Sequence, residues 1–219
     1  MQTVGGKQSV ICANTEGVLR IVMSIPSPKV EPLKMWLAEQ GKRTIDETNN
    51  PELLTHRQIE LYKTKGYTDE WIKNRLETIS TRNKLTDEWK NRGVKEGQEY
   101  SILTAVIAKG TFGLNPSEHK KLKGLEKPSQ DLRDNMTPLE LIFTQLGEET
   151  TRQLAINEDA KGFDENRNKA ARGGKAAGAA LTTYEAQVGL KVVSSENYQT
   201  QLKSNDKPEE LPSSDSKTE

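Results

Sequence analysis

The chain has few of the residues that build disulfides, metal sites and thick apolar cores. Among 219 residues there are one cysteine and two histidines, and aromatic residues make up 5%. The single cysteine, Cys12, excludes an intramolecular disulfide and any site that needs several cysteine ligands. Its apolar neighbours in "SVICAN" predict a buried thiol rather than a nucleophile. Because hydrophobic residues make up only 32%, several small helical layers are favoured over one thick core.

Long apolar runs and an excess of charge of one sign are also missing. No run approaches the roughly 20 apolar residues of a membrane helix, and no basic-then-apolar signal opens the chain. We therefore expect a soluble, cytoplasmic protein with no membrane partner. Lysine plus arginine (32) balance aspartate plus glutamate (32), so only local clusters of charge can point to a partner.

Motifs of common enzymes are absent as well. The sequence has no Gly-rich phosphate loop of Walker spacing, no dinucleotide fingerprint after a strand and no nucleophile-elbow serine. His56 and His119 lie on different predicted elements, and we expect His56 to be partly exposed on a helix and His119 to lie on a solvated face. The sequence therefore predicts a non-enzymatic protein with no catalytic residues, no metal site and no cofactor.

The sequence does contain a series of helix signals. Lys7–Ala13 is predicted to form a short strand, and Thr15 is predicted to cap the first helix. Gly41 is predicted to end the second helix. Prolines and glycines set the limits of the first three helices, because proline cannot continue a helix and glycine favours the turn after one. These residues are Pro26, Pro28, Pro32, Gly41, Pro51 and Gly66.

Two copies of "TDEW" predict two further helices. Thr68 and Thr86 each supply a capping hydroxyl, and an aspartate and a glutamate follow in the first turn, where the helix dipole favours negative charge. Trp71 and Trp89 are then the first large apolar anchors. The spacing of the copies is too short for a solenoid repeat, so we interpret them as two similarly capped helices.

The remaining sequence also predicts helices. One runs over 96–108, and a basic segment begins at Pro116. The strongest signal is Thr137 as an N-cap followed by an apolar stripe. The stripe is Leu139, Ile142, Leu146, Thr150 and Leu154. A last, glycine-containing helix precedes a tail, 201–219, predicted to be disordered. The fold class is thus mainly α: a short N-terminal β element, a multi-helix array and a disordered C-terminal tail.

Two local clusters of positive charge stand out from this balanced surface. They lie in "HKKLKGLEKPSQDLRD" and "KGFDENRNKAARGGKAAG". The candidate nucleic-acid-binding residues are Lys120, Lys121, Lys123, Lys127 and Arg133 in the first cluster and Arg167, Lys169, Arg172 and Lys175 in the second. Basic side chains beside small residues let a phosphate backbone approach closely, and a helix N-terminus adds N–H donors.

The small residues of the second cluster support another interpretation. They would allow two helices to pack closely, with the basic side chains merely solvated. The residues concerned are Gly173, Gly174, Ala176, Ala177, Gly178 and Ala179. The residues alone leave both interpretations open.

Several stretches carry a resemblance to known families. "SIPSPKVEPLKMWLA" is similar to the closing elbow and helix of the Bro-N domain of phage-type antirepressors and baculovirus-repeated-ORF proteins. "HKKLKGL" followed by "LRDNMTPLEL" resembles the C-terminal half of the DNA-damage-inducible protein D family, and "RGGKAAGAALTTYEAQVG" continues that likeness. The resemblance covers roughly residues 9–200, and the front of the Bro-N domain is missing from it.

The resemblance implies four segments. These are a C-terminal remnant of a Bro-N domain (1–48), a helical extension (49–95), a helical domain similar to damage-inducible protein D (96–200) and the tail (201–219). It also implies a prokaryotic protein of a phage or mobile element, or of the SOS response. We expect DNA or a nucleoprotein filament as its partner.

Three hypotheses follow from the sequence and the resemblance. In the first, the protein regulates DNA-linked processes by binding DNA or a nucleoprotein. In the second, it binds a repressor or a recombinase filament through the apolar stripe and exposed tryptophans, without contacting nucleic acid. In the third, it is a partly unfolded remnant whose Val10, Ile11, Leu19 and Val22 lack partners, which favours homo-oligomers or aggregation.

Overall fold

The computed structural model describes residues 12–198 and the backbone of four residues nearer the N-terminus. Those four form strands β1 (Gln2–Thr3) and β2 (Gly6–Lys7), which pair antiparallel with Gln2 opposite Lys7. Of the strand predicted over Lys7–Ala13, residues 8–11 lie outside the described part, and Cys12 and Ala13 are in irregular structure. A strand of the predicted length is therefore not seen.

The rest of the described chain is mainly α-helical, as the sequence predicts. Within residues 12–198 there are eight α-helices: α1 (Thr15–Ser24), α2 (Glu31–Asn49), α3 (Glu52–Thr64), α4 (Asp69–Asn91), α5 (Gln98–Phe112), α6 (Pro116–Leu122), α7 (Pro138–Asn157) and α8 (Gly162–Val188). Two 3-10 turns lie at Pro28–Val30 and Arg133–Asn135. None of the described helices is both long and apolar enough to cross a membrane. The predicted tail, 201–219, lies outside the described residues.

The helices belong to two compact units, which we call the first unit (Met1–Gln58) and the second unit (Ile59–Glu219). This division differs from the predicted segments, since the predicted boundary at 48/49 falls inside α2. In addition, α4 packs against α7 across the predicted boundary at 95/96.

One predicted cap and one predicted helix end of the first unit differ from the structure. Asn14, not Thr15, caps α1, because its side-chain Oδ1 accepts a hydrogen bond from the Gly17 N–H at 2.8 Å. Gly41 does not end α2, which continues to Asn49, so this prediction was wrong. A glycine in a helix interior costs only about 1 kcal/mol relative to alanine, which the rest of α2 offsets.

The second "TDEW" does not begin a helix. Thr68 caps α4 as predicted, with its Oγ1 accepting from the Trp71 N–H at 3.3 Å. Thr86 lies inside the same helix, where its hydroxyl donates to the Arg82 carbonyl. A threonine hydroxyl can cap a helix or donate a hydrogen bond to a carbonyl of the preceding turn. At Thr86 the apolar face of α4 continues past the residue, so the helix continues and the hydroxyl bonds to the preceding turn.

The first unit buries little. In α1–α3 the only buried residue of this unit is Glu47, whose carboxylate accepts from Arg57 Nη1 at 3.1 Å. Cys12 is exposed, so the predicted burial of its thiol was wrong. Trp36 is half exposed. Leu19 and Val22 are partly buried, and the other two residues named in the third hypothesis lie outside the described part.

The second unit has the core, which is formed mainly by α4, α5, α7 and α8. The predicted anchors Trp71 and Trp89 are both fully buried. Trp71 stacks on Tyr67 with ring centroids 4.0 Å apart and donates from Nε1 to the Met136 carbonyl at 3.0 Å. Trp89 packs with Leu85 and Leu103 in a second apolar cluster.

The glycines of α8 are packed against neighbouring helices. A Cβ at Gly173 would lie 2.2 Å from the Thr151 hydroxyl of α7, and one at Gly178 would lie 2.3 Å from the Gly110 carbonyl of α5. Ala177 is fully buried as well. The close-packing interpretation therefore holds for these positions, whereas Ala176 and Ala179 are exposed.

Helix α7 begins where the sequence predicts but buries a different face. Thr137 forms a capping box with Glu140, and Pro138 lies in the first turn. The predicted apolar stripe is not the core face, because Leu139, Ile142 and Leu146 are exposed. The buried face consists of Glu140, Leu141, Phe143, Thr144, Gly147, Glu148, Thr151 and Ala155. Small and polar residues pack inward here because α5 and α8 approach closely.

Candidate nucleic-acid interface

All nine candidate residues belong to the second unit, but they have different surroundings. Four form ion pairs with acidic side chains: Lys123, Arg133, Lys169 and Arg172. The other five form no ion pair with any described residue: Lys120, Lys121, Lys127, Arg167 and Lys175. This division separates side chains with a structural partner from those that can meet an external phosphate.

Lys123 is a core residue. Its ammonium is buried and lies 2.7 Å from Glu140 Oε2, and it also donates to the Glu196 carbonyl at 2.7 Å. His119 is buried beside it, with Nε2 at 3.1 Å from Glu140 Oε1. The prediction of a solvated His119 was therefore wrong, and Lys123 is not positioned to contact a surface ligand.

The buried carboxylate of Glu140 holds this cluster together. Burial would raise its pKa, but hydrogen bonds from His119, Lys123 and the Thr137 N–H stabilise the charged form and lower the pKa below its usual value. Three donors around one carboxylate satisfy an ion that would be costly to bury alone. The network ties α6 and the segment after it to the start of α7.

Arg133 and Arg82 share a second buried carboxylate, Glu148. Arg133 Nη2 and Arg82 Nη1 both donate to Glu148 Oε1, the latter at 3.3 Å. Arg82 also donates to the Thr104 hydroxyl at 2.6 Å, and its guanidinium lies 5.1 Å from the centre of the Trp89 ring. Burial lowers the pKa of Arg82. One negative charge is thus shared by two positive ones.

Glu158 neutralises part of the second cluster. Its carboxylate accepts from Arg172 at 2.8 Å and from Lys169 at 2.5 Å. The hydrogen bond from Arg172, followed by that from Lys169, lowers the pKa of Glu158 to about 2. The group is at the surface, so solvent weakens these pairs and both cations remain near the protein boundary.

Three of the five unpaired cations, Lys120, Lys121 and Lys175, lie on segments that contact the C-terminal part of α5. On α8, the backbone at Gly174–Lys175 contacts Gly110 of α5. On the other side, Lys109 Nζ reaches Glu118 of α6 at 3.4 Å, and α6 carries Lys120 and Lys121. Both predicted clusters therefore adjoin the same helix end, which the sequence alone does not show.

Helix N-termini add little to this surface. At α6 the Asn115 side chain caps the Glu118 N–H, and the Glu118 carboxylate caps the Asn115 N–H at 2.8 Å. At α8 the Lys161 N–H donates to Glu165. Because acidic and amide side chains already occupy these donors, contact with phosphate depends on the basic side chains.

Sequence reasoning missed two arginines of α4. Arg75 and Arg82 line a cavity of about 460 Å³ in the second unit, together with Arg133 and Lys120. A detectable signal was present, because these arginines share a helix stripe with the buried anchors. The stripe is Trp71, Arg75, Thr78, Arg82, Leu85 and Trp89, spaced alternately by four and three residues.

Neither a scan against protein-family models nor a search of curated proteins gives a significant match to this chain.

Proposed function

We propose that the protein is a non-enzymatic, DNA-linked regulatory protein of the antirepressor or DNA-damage-response type. It binds the phosphates of DNA, or of a nucleoprotein, with basic side chains of its second unit. The observation that supports this proposal is that both basic clusters contribute cations beside the C-terminal part of α5, where Lys120, Lys121 and Lys175 have no ion-pair partner among the residues described. The resemblance to the Bro-N and damage-inducible protein D families gives the proposal its regulatory context.

The surface fits binding of the nucleic-acid backbone better than base reading. Lysines and arginines that contact phosphates release condensed counterions, so affinity falls steeply with salt and depends little on sequence. Along α8, Arg167 and Lys175 are eight residues apart, or about 12 Å at 1.5 Å per residue. At about 3.4 Å of helix axis per phosphate along one strand, that distance corresponds to about three to four phosphates.

The test is fluorescence anisotropy of the full chain with 5′-hydroxyl DNA, single- and double-stranded, across a salt series. We expect the double variant Lys121→Gln/Lys175→Gln to weaken binding and to reduce the salt slope by about 2, because each lost phosphate contact removes about 1. The matched control is Lys90→Gln, an exposed lysine of α4 that pairs with Glu96. If wild type and double variant have the same slope, this surface is not the binding site.

A second candidate function is suggested by the exposed stripe of α7. Leu139, Ile142 and Leu146 are all exposed on one face of this helix. Such a row of apolar side chains is how a helix docks in the groove of another protein, here a repressor or a recombinase filament. Trp71 and Trp89 are buried and take no part. Loss of filament binding in Ile142→Glu, with no DNA binding by the wild type at any salt, would favour this function over the first.

A further inference from the structure

The cavity of the second unit has walls of two kinds. It lies between α4, α5, α6, α7 and the 3-10 turn at Arg133–Asn135. Its apolar walls are formed by Ile79, Ile107, Phe112, Leu132 and Met136. Its polar walls include arginine, lysine, aspartate and glutamate side chains. A volume of about 460 Å³ is in the range of small-molecule sites, which are largely apolar with a few fixed polar groups.

On the side of the cavity formed by Arg82, Arg133 and Lys120, the positive side chains outnumber the carboxylates that pair with them. Arg82 and Arg133 share the single carboxylate of Glu148, and Lys120 forms no ion pair with the described residues. Three cations thus accompany one anion, which leaves two positive charges uncompensated. Burial lowers the pKa of Arg82, Glu148 opposes this effect, and the nearby positive charge of Arg133 adds to it.

The fourth cation of the cavity is compensated. Arg75 Nε donates to Asp134 at 2.9 Å, and its Nη2 lies 3.7 Å from Asp131. These two carboxylates fix Arg75 and leave it little capacity for a further anion. The surplus of charge is therefore specific to Arg82, Arg133 and Lys120.

The donors at this surplus suit a phosphate. Within the described part of the chain, the Arg133 side chain donates only from Nη2, to Glu148, so the other N–H groups of its planar fork remain to bind two oxygens of one ligand. The lysine adds a mobile ammonium from α6. A phosphate monoester carries close to two negative charges near neutral pH, so it suits a site at which cations outnumber carboxylates.

The apolar walls define the rest of the ligand. Phe112 and His119 both line the cavity, with their ring centres 5.3 Å apart. Together with the aliphatic wall residues they offer ring faces and edges to a flat aromatic body. We propose that this cavity binds a nucleotide, with its phosphate monoester on Arg133, Arg82 and Lys120 and its base against the apolar walls.

Two sources can supply that chemistry, a free nucleotide or the 5′-phosphorylated end of a DNA strand. Isothermal titration of the full chain with adenosine and thymidine 5′-monophosphates tests the first. Anisotropy with a short oligonucleotide carrying a 5′-phosphate, compared with its 5′-hydroxyl twin, tests the second. We expect a monophosphate to bind with a Kd below about 1 mM. Adenosine and inorganic phosphate, which each lack half of the ligand, bind more weakly.

Neighbouring lysines provide matched variants. Lys120→Gln removes a cation that lines the cavity, whereas Lys121→Gln makes the same change one residue along α6, outside it. We expect Lys120→Gln to weaken monophosphate binding about tenfold, as for a charge-assisted hydrogen bond, and Lys121→Gln to leave it unchanged. Arg133→Lys keeps the charge but loses the planar fork, so it should weaken binding as well. The Lys120 side chain forms no ion pair within the part of the chain that the structure describes, so its variant should fold even if an arginine variant does not.

The outcomes separate this inference from the proposed function. If neither monophosphate nor 5′-phosphorylated DNA binds better than its unphosphorylated form, the cavity is not a nucleotide site. Equal losses in Lys120→Gln and Lys121→Gln would also overturn the inference, since they would report general attraction by the surface. The DNA interface is tested with Lys121 and Lys175, which do not line the cavity, so either proposal can fail while the other stands.

Discussion

The two units form helices equally well but differ in what the helices bury. In the first unit, Asn14 caps α1 and prolines limit α1 and α2, yet most of the apolar side chains of these helices are exposed, including Ile21 and Met35. In the second unit, one face of each of α4, α7 and α8 is buried against other helices. Caps and prolines decide where a helix begins, whereas burial requires a partner surface of matching shape.

The matching surfaces of the second unit are made by two unusual means. Glycines on α5, α7 and α8 remove side chains where backbones meet. The buried carboxylates of Glu140 and Glu148 form ion pairs with basic side chains of other segments. Neither the glycine contacts nor the buried ion pairs require additional hydrophobic residues. A chain with few apolar residues can therefore contain a well-packed unit.

The largest effect is expected where a buried ion pair of the second unit loses its carboxylate. Glu140→Gln leaves the Lys123 ammonium buried without a counter-charge, so we expect the free energy of unfolding to fall by about 3–5 kcal/mol. Urea denaturation followed by tryptophan fluorescence measures this, since Trp71 and Trp89 are in the same unit.

Its counterpart in the first unit is Glu47→Gln. The Glu47 carboxylate pairs with Arg57, whose side chain is 41% exposed and can turn to water. We expect a loss of no more than about 1 kcal/mol. Equal losses for the two variants would show that burial of the ion pair does not distinguish the units.

The next effect, that of a glycine-to-alanine substitution on the free energy of unfolding, is expected to have opposite signs in the two units. Gly173→Ala places a Cβ 2.2 Å from the Thr151 hydroxyl and 2.7 Å from its backbone nitrogen, so α7 and α8 must separate. We expect this to cost about 1–3 kcal/mol or more. Gly41→Ala places a Cβ where no atom lies within 4 Å, in a helix interior, and should stabilise α2 by about 1 kcal/mol.

Hydrogen exchange resolved by residue measures both changes. Amides of α7 and α8 should exchange faster in Gly173→Ala, and those of α2 should exchange more slowly in Gly41→Ala. A stabilising Gly173→Ala would mean that the close contact between α7 and α8 is not maintained in solution.

How far the sequence predicts this molecule depends on which interaction decides each feature. The cap of α4 at Thr68 and the capping box at Thr137 were predicted because each is set by residues within one turn. Thr86 was wrongly assigned as a cap because the same hydroxyl can bond back along a helix. The two "TDEW" copies differ only in what surrounds them in space.

The candidate site divides in the same way. The sequence identifies the basic clusters but not which cations have partners, because Glu140 meets Lys123 only after α6 and α7 have packed. The arginines of the cavity were missed because Arg75 and Arg82 stand on α4, far in sequence from Arg133. Their spacing along the anchored stripe was the one local signal.

The smallest effect is expected at the surface ion pairs of Glu158. Because its pKa is lowered to about 2, these pairs contribute stability that is fully present above the ordinary value of 4.5 and is lost as pH falls toward 2. Thermal melting of wild type and Glu158→Gln should therefore differ most near neutral pH and converge in acid. A difference that grows on acidification would contradict the assigned pairing with Lys169 and Arg172.

The order of packed helices has a consequence for synthesis. Helix α4 packs on α7 and α5 packs on α8, so the two pairings interleave along the chain. If the chain were cut between α5 and α7, α4 would be separated from α7 and α5 from α8, so neither piece would keep all of its helix partners. During translation α5 stays uncovered until α8 has emerged, which takes roughly 4–15 s at 5–20 residues per second. For that interval the nascent chain exposes the surface of α5 around Gly110, and a prematurely terminated product would keep it exposed.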